Sequence, residues 1–294
     1  MPHLALSFDL GAAGAADVEA ACFAGGALAV TFSDARDDAV LEPAPGELRL
    51  WPATRVTALY AAELSSAAVL VDLAARLGLD AGRIEARCVA DRVWEREWLK
   101  DFHAMRFGRR LWICPHHEVV TEPGAVVVWL DPGLAFGTGT HPSTALCLEW
   151  LDGAALAGRE VIDYGCGSGV LAIAAARLGA ARVAAFDIDP QALIATRENA
   201  AANDVAAVVR PCETEGELPA AADVLLANIL AGTLVDLSAG LAARVRPGGA
   251  LLLAGILAAQ AEAVTTAYRP WFDMDVSGSR DGWVALRGTR RQDS

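Results

Sequence analysis

Apolar residues recur at every second position at the start of the chain, where Leu4, Leu6, Phe8 and Leu10 are separated by Ala5, Ser7 and Asp9. That period predicts a strand with one buried face. An alanine-rich stretch from Ala15 to Ala24 predicts a helix. The runs ALAVTF from Ala27 and RVTALYA from Arg55 predict two more strands, with a Pro- and Gly-containing turn region between them. A second helix is expected over Ser66 to Leu77, stopped by Gly78, and RIEARCV from Arg83 closes the set as a fourth strand. Strand, helix, strand, strand, helix, strand is the split β-α-β order of ferredoxin-like domains, so residues 1–90 read as a small α+β domain. Such a scaffold specifies no chemistry by itself.

In DRVWEREWLKDFHAMRFG, Trp94, Trp98 and Phe102 are spaced four apart, which aligns three rings on one helix face. Residues 91–122 therefore read as a helical linker and connecting segment, its aromatic stripe as packing. From Glu160 strands and helices alternate, beginning with EVIDYG, VLAIAAARL, RVAAFDID and PQALIATRENAAAN. This rhythm predicts a parallel sheet covered on both faces. The final pair, WFDMDVS and GWVALRG, has only GSRD between its members, enough for antiparallel neighbours but not for a parallel crossover. Residues 123–294 are thus expected to form a Rossmann-like sheet of seven strands whose last strand is antiparallel.

The length of 294 residues suits two domains, and a composition of 54% hydrophobic and 21% charged residues is that of a folded globular chain. A net charge of -13 repels phosphate backbones and suits a basic partner, so no direct nucleic-acid binding is expected. Six cysteines lie far apart with no Cys-x-x-Cys pair, which predicts neither a zinc site nor a disulfide framework and fits a reducing compartment. The start of the chain has no basic leader, and the apolar run ALLLAGILAA from Ala250 is too short to span a bilayer. A cytoplasmic protein without metal or membrane attachment is the expectation.

Candidate chemistry collects in the second half. In VIDYGCGSGVLAI a hydrophobic strand ends at Asp163, turns through Gly165, Gly167 and Gly169, and opens a helix at Val170. A dinucleotide fingerprint would need Gly where Val170 stands, so the turn alone is a weak signal. About 20 residues on, AAFDIDP ends the next strand at Asp187, where Rossmann-like folds place an acid against ribose hydroxyls. Asp187 is read as that ligand, and Asp189 as the cap of the helix starting at Pro190. ADVLLANIL ends a buried strand at Asn228, which projects toward the same crevice. The loop DPGLAFGTGTHPST, Asp131 to Thr144, is glycine-rich but lacks the Lys-Ser/Thr of a phosphate loop.

With these elements in register, the sequence resembles class I methyltransferases. FHAMRFGRRLWICP, LDPGLAFGTGTHPST, VIDYGCGSG, DIDPQA and NILAGTL, in this order behind a small ferredoxin-like domain, resemble the ribosomal protein L-eleven (L11) methyltransferase family, PrmA. The resemblance covers essentially the whole chain and is weakest over the first ~90 residues. It implies S-adenosylmethionine as cofactor and the large-subunit ribosomal protein L-eleven as partner, with transfer to lysine or N-terminal amines. It places cofactor contacts at Thr144, Gly165, Asp187 and Asn228. Gly167 joins them on the turn, and Gly137 and Thr138 on the loop bordering the pocket, with Gly133 serving turn geometry.

Asn228 could accept a hydrogen bond from the substrate amine, and His103 and His141 are candidate proton relays. Methyltransferases of planar nitrogens carry an aromatic after this strand end, whereas Ile229 and Leu230 follow here. An aliphatic amine is favoured, with methyl transfer to RNA or a small molecule, or nucleotide binding without catalysis, as the alternatives. The ferredoxin-like domain is expected to recognise the substrate.

Overall fold

The computed structural model describes residues 3–36, 50–61, 66–89, 102–130 and 140–292. Packing divides the chain into two units, Met1–Trp94 and Glu95–Ser294. In the first, β1 (His3–Asp9), α1 (Ala15–Ala24), β2 (Ala29–Asp34), β3 (Thr54–Ala61), α2 (Ser66–Leu77) and β4 (Glu85–Val89) follow in the expected order. The four strands form one antiparallel sheet in the order β2-β3-β1-β4. Alternation sends Leu4, Leu6 and Phe8 of β1 and Val56, Ala58 and Tyr60 of β3 into a core with Val18 and Cys22 of α1 and Leu73 of α2. On β1 and β3 Ser7 and Thr57 face each other as register partners, their hydroxyls 2.9 Å apart. β4 starts two residues later than the pattern suggests, because a short turn at Ala81–Arg83, capped by the Asp80 side chain on the Gly82 N–H, takes up its first residues.

The larger unit opens with three short strands, β5 (Met105–Phe107), β6 (Leu111–Cys114) and β7 (Val126–Trp129), forming a separate sheet. Then follow α3 (Pro142–Gly153), β8 (Glu160–Tyr164), α4 (Val170–Arg177), β9 (Arg182–Phe186), α5 (Pro190–Ala202), β10 (Val209–Cys212) and β11 (Ala222–Asn228). The chain ends with α6 (Ala231–Asp236), α7 (Ser238–Ala243), β12 (Val245–Leu257), α8 (Ala261–Tyr268), β13 (Phe272–Arg280) and β14 (Trp283–Arg290). The main sheet has the order β10-β9-β8-β11-β12-β14-β13. β14 runs antiparallel to both its neighbours, and the pairings from β10 to β12 are parallel.

Successive side chains of the central strands enter opposite cores, as a sheet covered on both faces requires. Val161, Val183, Ala185, Val224 and Leu226 pack with α3, α4 and α5. Ile162, Tyr164, Phe186, Leu225 and Ala227 pack on the other side with Leu234, Val264 and Tyr268. The last hairpin is tighter than expected, since β13 continues to Arg280 and only Asp281 and Gly282 connect it to β14. Both have positive φ, +49° and +80°, as a two-residue hairpin of matching twist demands.

The reading of residues 91–122 as a linker needs revision. From Phe102 onward this segment belongs to the larger unit, where Phe102, Phe107, Leu111 and Ile113 are buried in one core with Leu148 and Leu151 of α3. Phe102 lies in irregular chain just before β5, while Trp94 and Trp98 fall outside the described residues. All six cysteines are free, and all but Cys88 are buried. Among the described residues no helix is long and apolar enough to cross a membrane, and no cluster of His, Cys, Asp or Glu is set to hold a metal ion.

A fragment starting at Glu95 should unfold cooperatively, whereas one starting at Pro123 should not, because the loss of β5, β6 and the buried side chains of Phe102, Phe107, Leu111 and Ile113 exposes the core over α3. Thermal melts of both fragments followed by circular dichroism check this. A sharp transition in the shorter one would show that the β5–β7 sheet is dispensable.

Candidate active-site crevice

β8, β9 and β11 lie side by side at the centre of the main sheet and end together at Tyr164, Phe186 and Asn228. Ligands of open α/β sheets bind beyond these carboxyl ends. After β8 the chain turns through three left-handed glycines, Gly165 at φ +81°, Gly167 at +53° and Gly169 at +80°. At Gly165 a Cβ would collide with the Ile229 side chain, and at Gly169 it would sit 2.8 Å from Thr196 Oγ1. Both positions therefore need glycine twice over, for conformation and for space.

Asp187 follows β9 and holds this turn in place. Its Oδ2 accepts from the Gly167 N–H at 2.9 Å and its Oδ1 from the Asp189 N–H at 3.0 Å. A carboxylate has about four lone-pair directions, so each oxygen retains one for a further donor. Asp189 caps α5 through the Gln191 N–H, as its place before Pro190 predicts. Between the two acids Ile188 is 89% exposed and offers a hydrocarbon surface next to the carboxylate.

Asn228 ends β11, and its Nδ2 donates to Thr144 Oγ1 in the first turn of α3 at 3.2 Å. Among the described residues nothing donates to its Oδ1. The structure thus joins Gly167 to Asp187 and Thr144 to Asn228. Gly137 and Thr138 fall outside the described residues. His141 is the N-cap of α3, its Nδ1 accepting from the Ser143 N–H and lying 2.7 Å from Ser143 Oγ. Its ring stands edge-on to Trp283, with centroids 4.6 Å apart, and burial holds its pKa below the ordinary histidine value.

His103 is paired elsewhere. Its Nδ1 is 2.6 Å from Glu118 Oε1, while the Ala104 N–H donates to Oε2 of the same carboxylate. The His103 hydrogen bond, and then that of Ala104, hold Glu118 below the usual carboxylate range. The ring is 69% exposed on the β5–β6 side of the unit.

Several supporting residues carry no motif. Asp163, fully buried beneath the turn, accepts from the Ala172 N–H at 3.0 Å through Oδ2, while its Oδ1 has no donor among the described residues. Burial, reinforced by nearby Asp187, pushes its carboxyl up to about 7 against the pull of the Ala172 amide. On α5, Thr196 donates to the Gly167 carbonyl at 3.0 Å and Asn199 to the Ser168 carbonyl at 2.8 Å. Asn203, one turn further, clasps the backbone of Trp129 with both ends of its amide at 2.7 Å. The signal was present in the sequence: Thr196, Asn199 and Asn203 recur at spacings of three and four, one helix face.

A cavity of about 660 Å³ lies in a different part of the unit, lined by Leu146, Trp150, Arg159, Asp223, Arg246 and Arg287 among others. It adjoins the starts of β8 and β11, tied together by the Glu160 N–H bond to Asp223 and by Arg246, 3.0 Å from Asp223. The crevice at the opposite strand ends, with its glycine turn and aligned polar groups, is the better candidate for chemistry.

Similarity to known proteins agrees with this assignment. A family model described as ribosomal protein L11 methyltransferase (PrmA) matches residues 3–291. A relative named ribosomal protein L11 methyltransferase from Pseudomonas aeruginosa is 53% identical over 269 residues, covering 91% of this chain and 92% of that protein. One of the same name from Edwardsiella ictaluri is 48% identical over 295 residues, covering 99% and 100%. The crystal structure of a ribosomal protein L11 methylase from Lactobacillus delbrueckii subsp. bulgaricus superposes with a TM-score of 0.60 at 32% identity, covering 65% of this chain and all of that one. With matches of this length and closeness, the chain belongs to the ribosomal protein L11 methyltransferase family.

Proposed function

We propose that this protein is a cytoplasmic enzyme that transfers methyl groups from S-adenosylmethionine to lysine or N-terminal amines of ribosomal protein L11. In this reading the crevice after β8, β9 and β11 holds the cofactor and the ferredoxin-like unit holds the substrate. The observation that carries it is the Asp187 carboxylate, anchored on the glycine turn with an acceptor direction left on each oxygen. That geometry suits the paired hydroxyls of a ribose, and exposed Ile188 beside it suits the face of a purine. Gly165, Gly167 and Thr144 would complete the contacts.

When bound, S-adenosylmethionine supplies a methyl group on a sulfonium, which leaves as a neutral thioether without help from an acid. The work left to the chain is positioning and desolvation. An acceptor amine must present its lone pair, and free amines of pKa about 10.4 or 8 are largely protonated at neutral pH. A closed crevice lowers such a pKa by disfavouring the ammonium. Asn228, steadied by Thr144, turns its carbonyl oxygen toward the amine N–H and so aims the lone pair. Ile229 is packed over Gly165 and Gly255, and Leu230 after it is aliphatic. The absence of an aromatic there favours a flexible amine over a planar base.

Asp187→Ala should weaken S-adenosylmethionine binding by roughly 10- to 100-fold, the loss of a charge-assisted acceptor worth about 1.5–3 kcal/mol. Calorimetry with the purified variant measures it, and unchanged affinity in a folded protein would remove Asp187 from the site. Asn228→Ala is expected to slow single-turnover methylation at saturating cofactor at least tenfold while the melting temperature moves by only a few degrees. A large fall in melting temperature with normal turnover would instead assign Asn228 to stability. The fragment beginning at Glu95 should bind the cofactor as tightly as the full chain yet methylate ribosomal protein L11 far more slowly. Equal rates would exclude the ferredoxin-like unit as the substrate-holding element.

A further inference from the structure

His141 stands immediately before Pro142 with extended backbone, φ -69° and ψ 135°, the conformation of an N-cap. The Ser143 backbone N–H points at its Nδ1 from 3.3 Å. A backbone N–H can only donate, so Nδ1 carries a lone pair and the proton of the neutral ring sits on Nε2. The Ser143 hydroxyl, 2.7 Å away, can meet that same nitrogen only as a donor. Nδ1 is therefore committed to the first turn of α3, and Nε2 already holds a proton. A ring in this state has no lone pair to offer a substrate ammonium.

Its position gives it a different task. Thr144, in the same first turn, is 1% exposed and accepts from Asn228. The geometry points to His141 as a positioning residue: a neutral, Nε2-protonated ring that caps α3, is braced by Trp283, and fixes Thr144 against Asn228 at the cofactor crevice. The inference rests on the proposed role of that crevice.

Protonating the ring would turn Nδ1 into a donor facing the Ser143 N–H and place a cation at the positive end of the helix. Burial lowers the pKa of the ring and so favours its neutral form. Of the charged groups on the described elements packed against α3, Arg106 is paired with Glu122, Arg280 with Glu149, Arg287 with Asp275, and Asp223 with Arg159 and Arg246, while Arg290 donates to the Ala242 carbonyl. Asp281 lies in the exposed hairpin turn. Because the neutral form is favoured in the folded state, the contribution of the cap is complete above the free histidine pKa of about 6.5 and is lost as pH falls through the lower folded value.

The test uses the full-length enzyme. Two-bond proton–nitrogen spectra of the histidine-labelled wild type at pH 7.5, without cofactor, should show His141 protonated on Nε2. His141→Asn, which caps without titrating, should keep cofactor affinity within about twofold of wild type, whereas His141→Ala should lose roughly fivefold. Below pH 6.5 wild-type affinity should fall, and that of His141→Asn should stay level. An Nδ1-protonated ring would overturn the proposal, as would an Asn variant as impaired as Ala with its loss in kcat at saturating cofactor, or an Ala variant equal to wild type. Failure of the wild type to bind S-adenosylmethionine at pH 7.5 would overturn the reading of the crevice instead, while the tautomer is decided by the cofactor-free spectrum.

Discussion

One hydrogen bond organises the crevice: the Gly167 N–H on the turn after β8 is held by the Asp187 carboxylate at the end of the neighbouring strand. Three left-handed glycines would otherwise leave the turn many conformations, because glycine surrenders more backbone freedom on folding than any other residue. A short charge-assisted bond across two paired strands removes that freedom at the point where a ligand would sit. The turn is further clamped from α5, where Thr196 and Asn199 take the carbonyls of Gly167 and Ser168. Asp187 takes the Gly167 N–H on one side and α5 takes two carbonyls on the other, so the turn is tied to both of its neighbours.

Rigidity here is obtained from polar atoms inside a largely apolar structure. Thr196 and Asn203 are fully buried, and each is satisfied by backbone groups. Asp163 differs, with one oxygen bound to Ala172 and the other without a donor among the described residues. Burying it as an anion would be expensive, and the environment shifts it toward the neutral acid.

Much of this was legible in the chain because the relevant signals are local. A hydrophobic run ending in glycines, a second ending in Asp187 and a third ending in Asn228 mark the strand ends that border the crevice. The last two strands were visible as well, although the turn between them proved to be two residues and not four. What escaped was of another kind. β5 and β6 are three and four residues long, too short for alternation to declare itself, so residues 91–122 passed for a connector. Thr196, Asn199 and Asn203 share one helix face by their spacing, but sequence alone does not say which polar stripe turns inward. His141 was read for its acid–base chemistry, because histidine is not among the usual capping residues and its hydrogen-bond partner is two positions away.

The placement of β14 between β12 and β13 has a consequence for the order of assembly. β12 and β13 never touch as neighbours, so the sheet edge beyond β12 stays open until the final strand is inserted. That strand begins with Trp283, which braces His141 at the head of the helix carrying Thr144. The glycine turn and Asp187 can be built from chain made long before, but the opposite wall of the crevice is finished only by β14. A chain cut before β14 would therefore keep the bond between Gly167 and Asp187 and lose the ring that stands against His141.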